Sequence, residues 1–74
     1  MLRKTIYVRL LDEGVKTYRP VSALEVSRTV YEIEGFDIYN PEDESWEFPP
    51  GSLVMVEQQS LSGSVVLVAT AAAE

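Results

Sequence analysis

The sequence predicts an all-β fold, a small antiparallel barrel of about five strands, and three observations lead to this prediction. Near the N-terminus apolar and polar residues alternate, with Ile6, Val8 and Leu10 in one phase, which is the period of a strand. Turn residues, chiefly Gly and Pro, recur at short intervals, as in proteins built of short strands. No long helical segment separates the strands, and this favours antiparallel pairing.

The first two strands are predicted over residues 4–11 and 15–27, separated by a turn at Asp12-Glu13-Gly14. The second contains Pro20, which has no N–H to donate and therefore belongs at a sheet edge or a bulge. Val15 and Thr17 share one phase before Pro20, and Leu24 and Val26 take the other phase after it. A bulge would explain the switch. The alternative is a short helix over residues 20–25 that begins at Pro20.

The remaining strands are predicted over residues 29–34, 53–59 and 65–70. Residues 36–47 form the longest irregular stretch, and a turn follows at residues 49–52, where Gly51 is expected at positive φ. A hairpin loop is expected over residues 60–64 and a frayed tail over residues 71–74. The strand phases predict a core of Ile6, Val8, Leu10, Tyr31, Ile33, Val54, Val56, Val66 and Val68.

Size and composition limit what the chain can be. Its 74 residues are expected to form one domain over residues 1–74, with a thin margin of stability. It has no Cys and no His, so thiol chemistry is excluded and we expect no metal site and no cofactor. No stretch approaches the roughly 20 apolar residues of a membrane span. The basic N-terminus is not followed by a signal-peptide pattern, and we therefore expect a cytoplasmic protein with no membrane association.

Three segments resemble a family of short bacterial proteins. They are Val8-Arg9-Leu10-Leu11-Asp12-Glu13-Gly14, Arg19-Pro20-Val21 and Trp46-Glu47-Phe48-Pro49-Pro50-Gly51-Ser52-Leu53-Val54. They are similar to the V-R-L-L-D-E-G, R-P-V and W-E-F-x-P-G-x-x-V patterns of that family, and the resemblance covers nearly the whole chain. It implies a stand-alone, SH3-like barrel. Relatives often carry Trp where this chain has Tyr18, and no catalytic or binding residue can be carried over.

Charge is divided unequally along the chain. Residues 1–30 hold all six basic residues and three acidic ones, a net charge of +3, whereas residues 31–74 hold nine acidic residues and no basic one, a net charge of −9. Such halves attract each other, and the acidic surplus must face water or a partner. We expect much of the basic charge to be neutralised by contacts with the acidic half.

Enzymatic function is not expected. Without His the serines have no activating base of the usual kind. The neighbouring acids Glu42, Asp43 and Glu44 beside Asn40-Pro41 have the character of a solvated loop, whereas general acid catalysis needs a desolvated carboxyl. A weak Ca²⁺ site in this loop is a less favoured alternative, since the calcium-loop pattern with its turn Gly is absent.

The best functional prediction is a protein-interaction module with a basic partner. The acidic loop and nearby aromatic residues would form its binding surface. Trp46 is expected either to cap the core or, with Tyr39 and Tyr18, to line an exposed groove like the aromatic peptide grooves of SH3 domains. The candidate partner-binding residues are therefore Tyr18, Tyr39, Glu42, Asp43, Glu44, Trp46 and Glu47.

Two other functions stay open at this point. A nucleic-acid-associated barrel would use the basic residues of the first two strands, including Arg9 and Arg19, although a pI of about 4.5 argues against nucleic acid as a partner. An immunity-type inhibitor would use the acidic surface to mask a basic nuclease, and only charge and size support it.

Overall fold

The computed structural model describes residues 2–73 and contains six strands. They are β1 (Arg3–Leu11), β2 (Thr17–Glu25), β3 (Val30–Ile33), β4 (Ser45–Trp46), β5 (Leu53–Leu61) and β6 (Ser64–Ala72). The all-β prediction is confirmed. In the described range no helix is long and apolar enough to cross a membrane.

Five of the strands nearly close a ring in the order β1, β2, β3, β5 and β6, and each strand is antiparallel to the next. β6 then returns to β1, where Tyr7 lies opposite Val68 in a parallel pairing. Strand direction alternates around the ring, so with an odd number of strands the first and last run the same way and must meet in parallel. The expectation of a wholly antiparallel sheet was therefore wrong at this one seam. The sheet is mixed and its five-strand ring is nearly closed.

β4 is the one described strand that lies outside the ring, and it was not predicted from the sequence. It is antiparallel to β1, with Leu10 opposite Trp46 and Leu11 opposite Ser45. Two residues cannot display a periodicity, so pattern alone could not reveal this strand. Its effect is to fix the middle of the long loop against the end of β1.

β2 runs through Pro20 without a bulge or a helix. Its register with β1 is continuous, and Pro20 lies opposite Tyr7. β3 pairs only with the C-terminal end of β2, at Ala23–Glu25. On the side of β2 away from β1, Pro20 therefore has no paired strand, which agrees with the prediction that Pro20 lies at a sheet edge. The predicted change of phase was wrong, since the buried residues of β2 are Val21 and Ala23. The sheet does shift register elsewhere, between Met55 and Val56 of β5.

The β5–β6 hairpin is tighter and longer than expected. Ser62 and Gly63 both have positive φ, at 51° and 84°, as in the two-residue turns that match the twist of a hairpin. At the other end β6 continues to Ala72, and the Ala73 N–H donates to the Leu53 carbonyl at 2.8 Å. Pairing with β5 thus orders residues 71–73, where the sequence predicted fraying, and residue 74 lies outside the described range.

The core lies inside the near-ring. Seven of the nine predicted core residues are buried, and Val56 and Val66 are half-buried. The buried residues that the prediction omitted are Val21, Ala23, Trp46 and Ala69. Ala23 and Ala69 are small, and where strands approach closely a small side chain fits the space that remains. Leu67, rather than Val66, packs on the core cluster.

Candidate functional site

The long loop between β3 and β5 is built from two consecutive turns. Gly35 has a φ of 113°, a region that favours glycine, and its carbonyl accepts hydrogen bonds from the N–H groups of Ile38 and Tyr39 at 3.0 and 2.9 Å. The Asn40 carbonyl then accepts from Asp43 and Glu44, each at 3.0 Å. Backbone hydrogen bonds within the loop therefore fix the conformation of both turns.

Trp46 anchors this loop from the inside. It is 3% exposed, and its ring is so close to Gly35 that a Cβ there would lie 3.0 Å from the indole Cη2. Tyr39 stacks on it in a tilted arrangement with ring centroids 4.7 Å apart. Of the two predicted roles for Trp46, the structure places it in the core, where it fixes the loop to the end of β1.

Polar contacts complete this anchor. The Trp46 indole N–H donates to Glu44 Oε1 at 3.1 Å, and Arg19 Nη1 donates to the same oxygen at 3.2 Å. The Arg19 guanidinium also lies 5.8 Å from the centroid of the Trp46 ring, within the range of a cation–π contact. Glu44 thus forms an ion pair with Arg19, whereas its neighbours Glu42 and Asp43 form no ion pair in the described part of the chain.

The predicted partner-binding residues do not form a single surface. Tyr39, Glu44 and Trp46 come together in the anchor, and Glu42, Asp43 and Glu47 are exposed on the same loop. Tyr18 lies apart. Together with Lys16 and Thr17 it lines a shallow cleft of about 560 Å³, and Tyr7 and the tip of the β5–β6 hairpin form the rest of this cleft.

Glu42 and Asp43 belong to a shallow acidic depression of about 300 Å³ between the loop and the β1–β2 turn. Because β4 pairs with the end of β1, Asp12 and Glu13 are brought beside the loop acids. Its lining residues are Leu11, Asp12, Glu13, Pro41, Glu42, Asp43, Glu44 and Ser45. The sequence predicted only a turn at Asp12 and Glu13, since their proximity to the loop depends on the unpredicted strand β4.

A larger groove, of about 570 Å³, lies on the other side of the loop and is called here the apolar groove. Phe36 and Ile38 stand on its rim, 77% and 52% exposed. Ser22, Leu24, Glu32, Ile33, Glu34, Gly35 and Asp37 complete its lining. This groove was not predicted from the sequence, although the aromatic Phe36 and the β-branched Ile38 on either side of Asp37 indicate that the irregular stretch presents apolar side chains.

Three of the six basic residues form ion pairs in the described part of the chain. Arg3 pairs with Glu34 at 3.1 Å, Lys4 with Glu25 at 3.0 Å and Arg19 with Glu44 at 3.2 Å. Two of these pairs join the basic half to the acidic half, so the acidic half neutralises two of the six basic residues, which is less than the charge division predicted. Arg9, Lys16 and Arg28 have no ion pair among residues 2–73. These surface pairs contribute little to stability individually.

Among residues 2–73, two ionisable groups have shifted pKa values, and both lie away from the acidic depression. The Ser22 hydroxyl donates to Glu34 at 2.8 Å and, with Arg3 assisting, lowers the pKa of that carboxyl from its usual 4.5. The hydrogen bond and charge of Glu25 raise the pKa of Lys4 above its usual 10.5. Neither shift places a group near neutral pH, where a general acid or base is most effective.

The geometry offers little for metal binding. Among residues 2–73 no group of three or more acidic side chains is arranged to hold a metal ion. The carboxylates of the acidic depression line an open surface, so water remains available to each of them.

No protein-family model, no curated protein and no solved structure shows a significant match to this chain. The resemblance to short bacterial SH3-like proteins therefore stays a prediction.

Proposed function

We propose that this domain is a non-enzymatic protein-interaction module of the SH3-like class, and that it binds a partner with a basic surface. The proposal rests on one observation, that most carboxylates of the acidic depression form no ion pair while Glu44 pairs with Arg19. Asp12, Glu13, Glu42 and Asp43 have no ion-pair partner in the described part of the chain, and they converge on one surface. Folding leaves these carboxylates in water, where a basic partner can approach them.

The near-ring of five strands and its small size support the SH3-like assignment. Val8 and Leu10 of the quoted motif point into the core, and Gly51 has a φ of 90° in the turn that leads into β5. These residues build the framework of the fold, so the motif residues are assigned a structural role. Binding is assigned to the loop surface, which the framework holds in place.

The experiment is affinity capture with a matched pair of charge reversals. Glu42→Lys alters the acidic depression, and Glu57→Lys makes the same change of net charge at an exposed site on β5. Glu44 is left intact because it bonds to Trp46 and Arg19. We expect quantitative mass spectrometry to show a basic partner that is retained by wild type and Glu57→Lys and reduced with Glu42→Lys.

Rising salt should weaken the same capture, because ions screen exposed charges beyond about 8 Å at physiological ionic strength. Equal capture by the two variants, or capture that does not respond to salt, would contradict the proposal. The identity of the captured protein also decides the immunity-type alternative, which requires a nuclease.

A nucleic-acid-associated function stays the second candidate because of one observation. Arg9 lies directly opposite Tyr18 in the β1–β2 pairing, and Tyr18 lines the shallow cleft with Tyr7 and Lys16. Neither Arg9 nor Lys16 has an ion pair in the described residues. Aromatic side chains next to basic side chains are a combination that binds single-stranded nucleic acid. Nuclease-sensitive capture that is lost with Arg9→Ala and unchanged with Glu42→Lys would favour it over the first proposal.

A further inference from the structure

The apolar groove has an unusual exposure of large apolar side chains. Phe36 is 77% exposed and Ile38 is 52% exposed, and both are separated from the core by the turn that carries them. The edge of the Phe36 ring rests on Gly51, where a Cβ would lie 3.0 Å from its Cζ. Leu24 of β2 continues the apolar lining, whereas the Ile33 side chain is 1% exposed and belongs to the core. Exposed apolar surface in a concave setting is typical of a binding groove.

The rim of this groove is held in place without a partner. Gly35 closes the turn by accepting hydrogen bonds from Ile38 and Tyr39, and Tyr39 packs inward on Trp46. Phe36 and Ile38 are therefore presented outward by a turn that is fixed from behind. A surface that is ordered before binding loses less conformational entropy on association.

Carboxylates surround the apolar lining. Glu32 and Asp37 form no ion pair and no side-chain hydrogen bond in the described part of the chain, whereas Glu34 is bound by Ser22 and Arg3. Glu32 lies between Leu24 and Leu53 in the register of the sheet, so at least one free carboxylate is flanked by apolar side chains. An occupant of this groove must bring positive charge close to large apolar groups.

We propose that the apolar groove binds an extended segment of a partner protein in which a large apolar side chain is flanked by Lys or Arg. Phe36, Ile38 and Leu24 contact the apolar side chain, and Glu32 and Asp37 contact the basic ones. A second copy of this chain is a poor occupant because each copy carries a net charge of −6, and nucleic acid is a poor one because its phosphates meet carboxylates. The proposal rests on the proposed function in one respect, that the partner is a protein.

The test is selection from a random dodecapeptide library displayed on phage, with the wild-type domain as bait. Selected peptides are synthesised, and their affinity is measured by fluorescence polarisation at two salt concentrations. We expect them to combine Lys or Arg with a neighbouring Phe, Trp, Leu or Ile. Phe36→Ser and Asp37→Asn should each weaken binding by about tenfold, which corresponds to about 1.4 kcal/mol.

Matched controls alter the same kind of surface elsewhere. Val65 is 70% exposed at the hairpin, so Val65→Ser removes an exposed apolar side chain, and Glu57→Gln removes an exposed carboxylate. Both controls should bind the peptides like wild type, and circular dichroism should show all four variants folded. Enrichment of peptides without basic residues, equal losses in groove and control variants, or no enrichment at all would overturn the proposal.

Failure here and failure of the proposed function give different results. If the groove proposal alone is wrong, the basic partner captured by wild type is still lost with Glu42→Lys but is retained with Phe36→Ser. If the module binds no basic protein, capture fails for wild type as well. Sedimentation of the wild-type domain adds one more outcome, since self-association that Phe36→Ser abolishes would show that the groove serves a second copy and would overturn the proposal.

Discussion

Trp46→Phe is the substitution that best tests how the long loop is attached to the core. Trp46 is 3% exposed, stacks on Tyr39 and lies against Gly35. Phenylalanine keeps an aromatic ring in this space but removes the indole N–H that donates to Glu44 at 3.1 Å. The substitution therefore separates the polar part of the anchor from most of its packing.

Its cost can be worked from three contributions. The hydrogen bond goes to a charged carboxylate that is 31% exposed, so we assign it about 1 kcal/mol, below the roughly 1.5–3 kcal/mol of hydrogen bonds to charged groups because solvent screens it. The smaller ring buries roughly 40 Å² less apolar surface, or about 1 kcal/mol at 25 cal/mol per Å². A weaker cation–π contact with Arg19 adds about 0.5 kcal/mol. Together about 2.5 kcal/mol is lost, from a total near 5 kcal/mol for a domain of this size.

Urea denaturation followed by far-ultraviolet circular dichroism measures this change, and the melting temperature should fall by about 10–20 °C. Phe36→Leu is the matched control, because Phe36 is 77% exposed and surface substitutions usually change stability by less than about 0.5 kcal/mol. A denaturation midpoint for Trp46→Phe equal to that of wild type would refute this account of the loop. Trp46 is the single tryptophan of the chain, so strong quenching of wild-type fluorescence by iodide would refute its burial independently.

Three further predictions concern the core, a turn and a carboxyl group. Val8→Ala should cost about 2–4 kcal/mol because Val8 is fully buried, whereas Val15→Ala at an exposed site should cost little; equal denaturation midpoints would contradict this. Gly51→Ala should cost about 1 kcal/mol because φ is 90° there, whereas Gly14→Ala has open space around its Cβ and should be tolerated; a tolerated Gly51→Ala would show that the turn is not strained. Ser22→Ala should raise the pKa of Glu34 toward 4.5 in an NMR titration. A lowered carboxyl pKa stabilises the fold above pH 4.5 and this stabilisation is lost as the pH falls, so the variant should lose less stability in acid than wild type. An unchanged pKa of Glu34 would exclude the Ser22 hydrogen bond as the cause of the shift.

The parts of the fold that the sequence predicted are those governed by local pattern. β1 alternates regularly because one face of it meets the core, and Ile6, Val8 and Leu10 are all buried. The Pro-Gly turn before β5 also follows from local chemistry, since Gly51 needs a positive φ. In each case the residues that specify the structure are neighbours in the chain.

The structural features that were not predicted, or were predicted wrongly, depend on contacts between residues far apart in the chain. β4 exists because Ser45 and Trp46 meet the end of β1, and a two-residue strand has no period to detect. The buried phase of β2 at Val21 and Ala23 is set by β1, whose register passes through Pro20 without interruption. The parallel seam follows from ring closure, which is a property of the whole chain.

The candidate site was only partly predictable for a related reason. The loop acids were identified from composition, but which of them is available to a partner depends on contacts in three dimensions. Glu44 bonds to Trp46 and Arg19, whereas Asp12 and Glu13 join Glu42 through the pairing of β4 with β1. Sequence alone treats Glu42 and Glu44 alike, since nothing local to them distinguishes a carboxylate that is ion-paired within the protein from one that is not.

The long loop has an inner side that packs on the core and an outer side that we propose binds a partner, and Trp46 lies on the inner side. Trp46 and Tyr39 face inward and fix the turn, and that turn presents Phe36 and Asp37 to the solvent. A substitution on the inner side should therefore reduce stability and binding together, because the groove loses its rim when the turn loosens. A substitution on the outer side should reduce binding alone, because its side chain contributes little to the core.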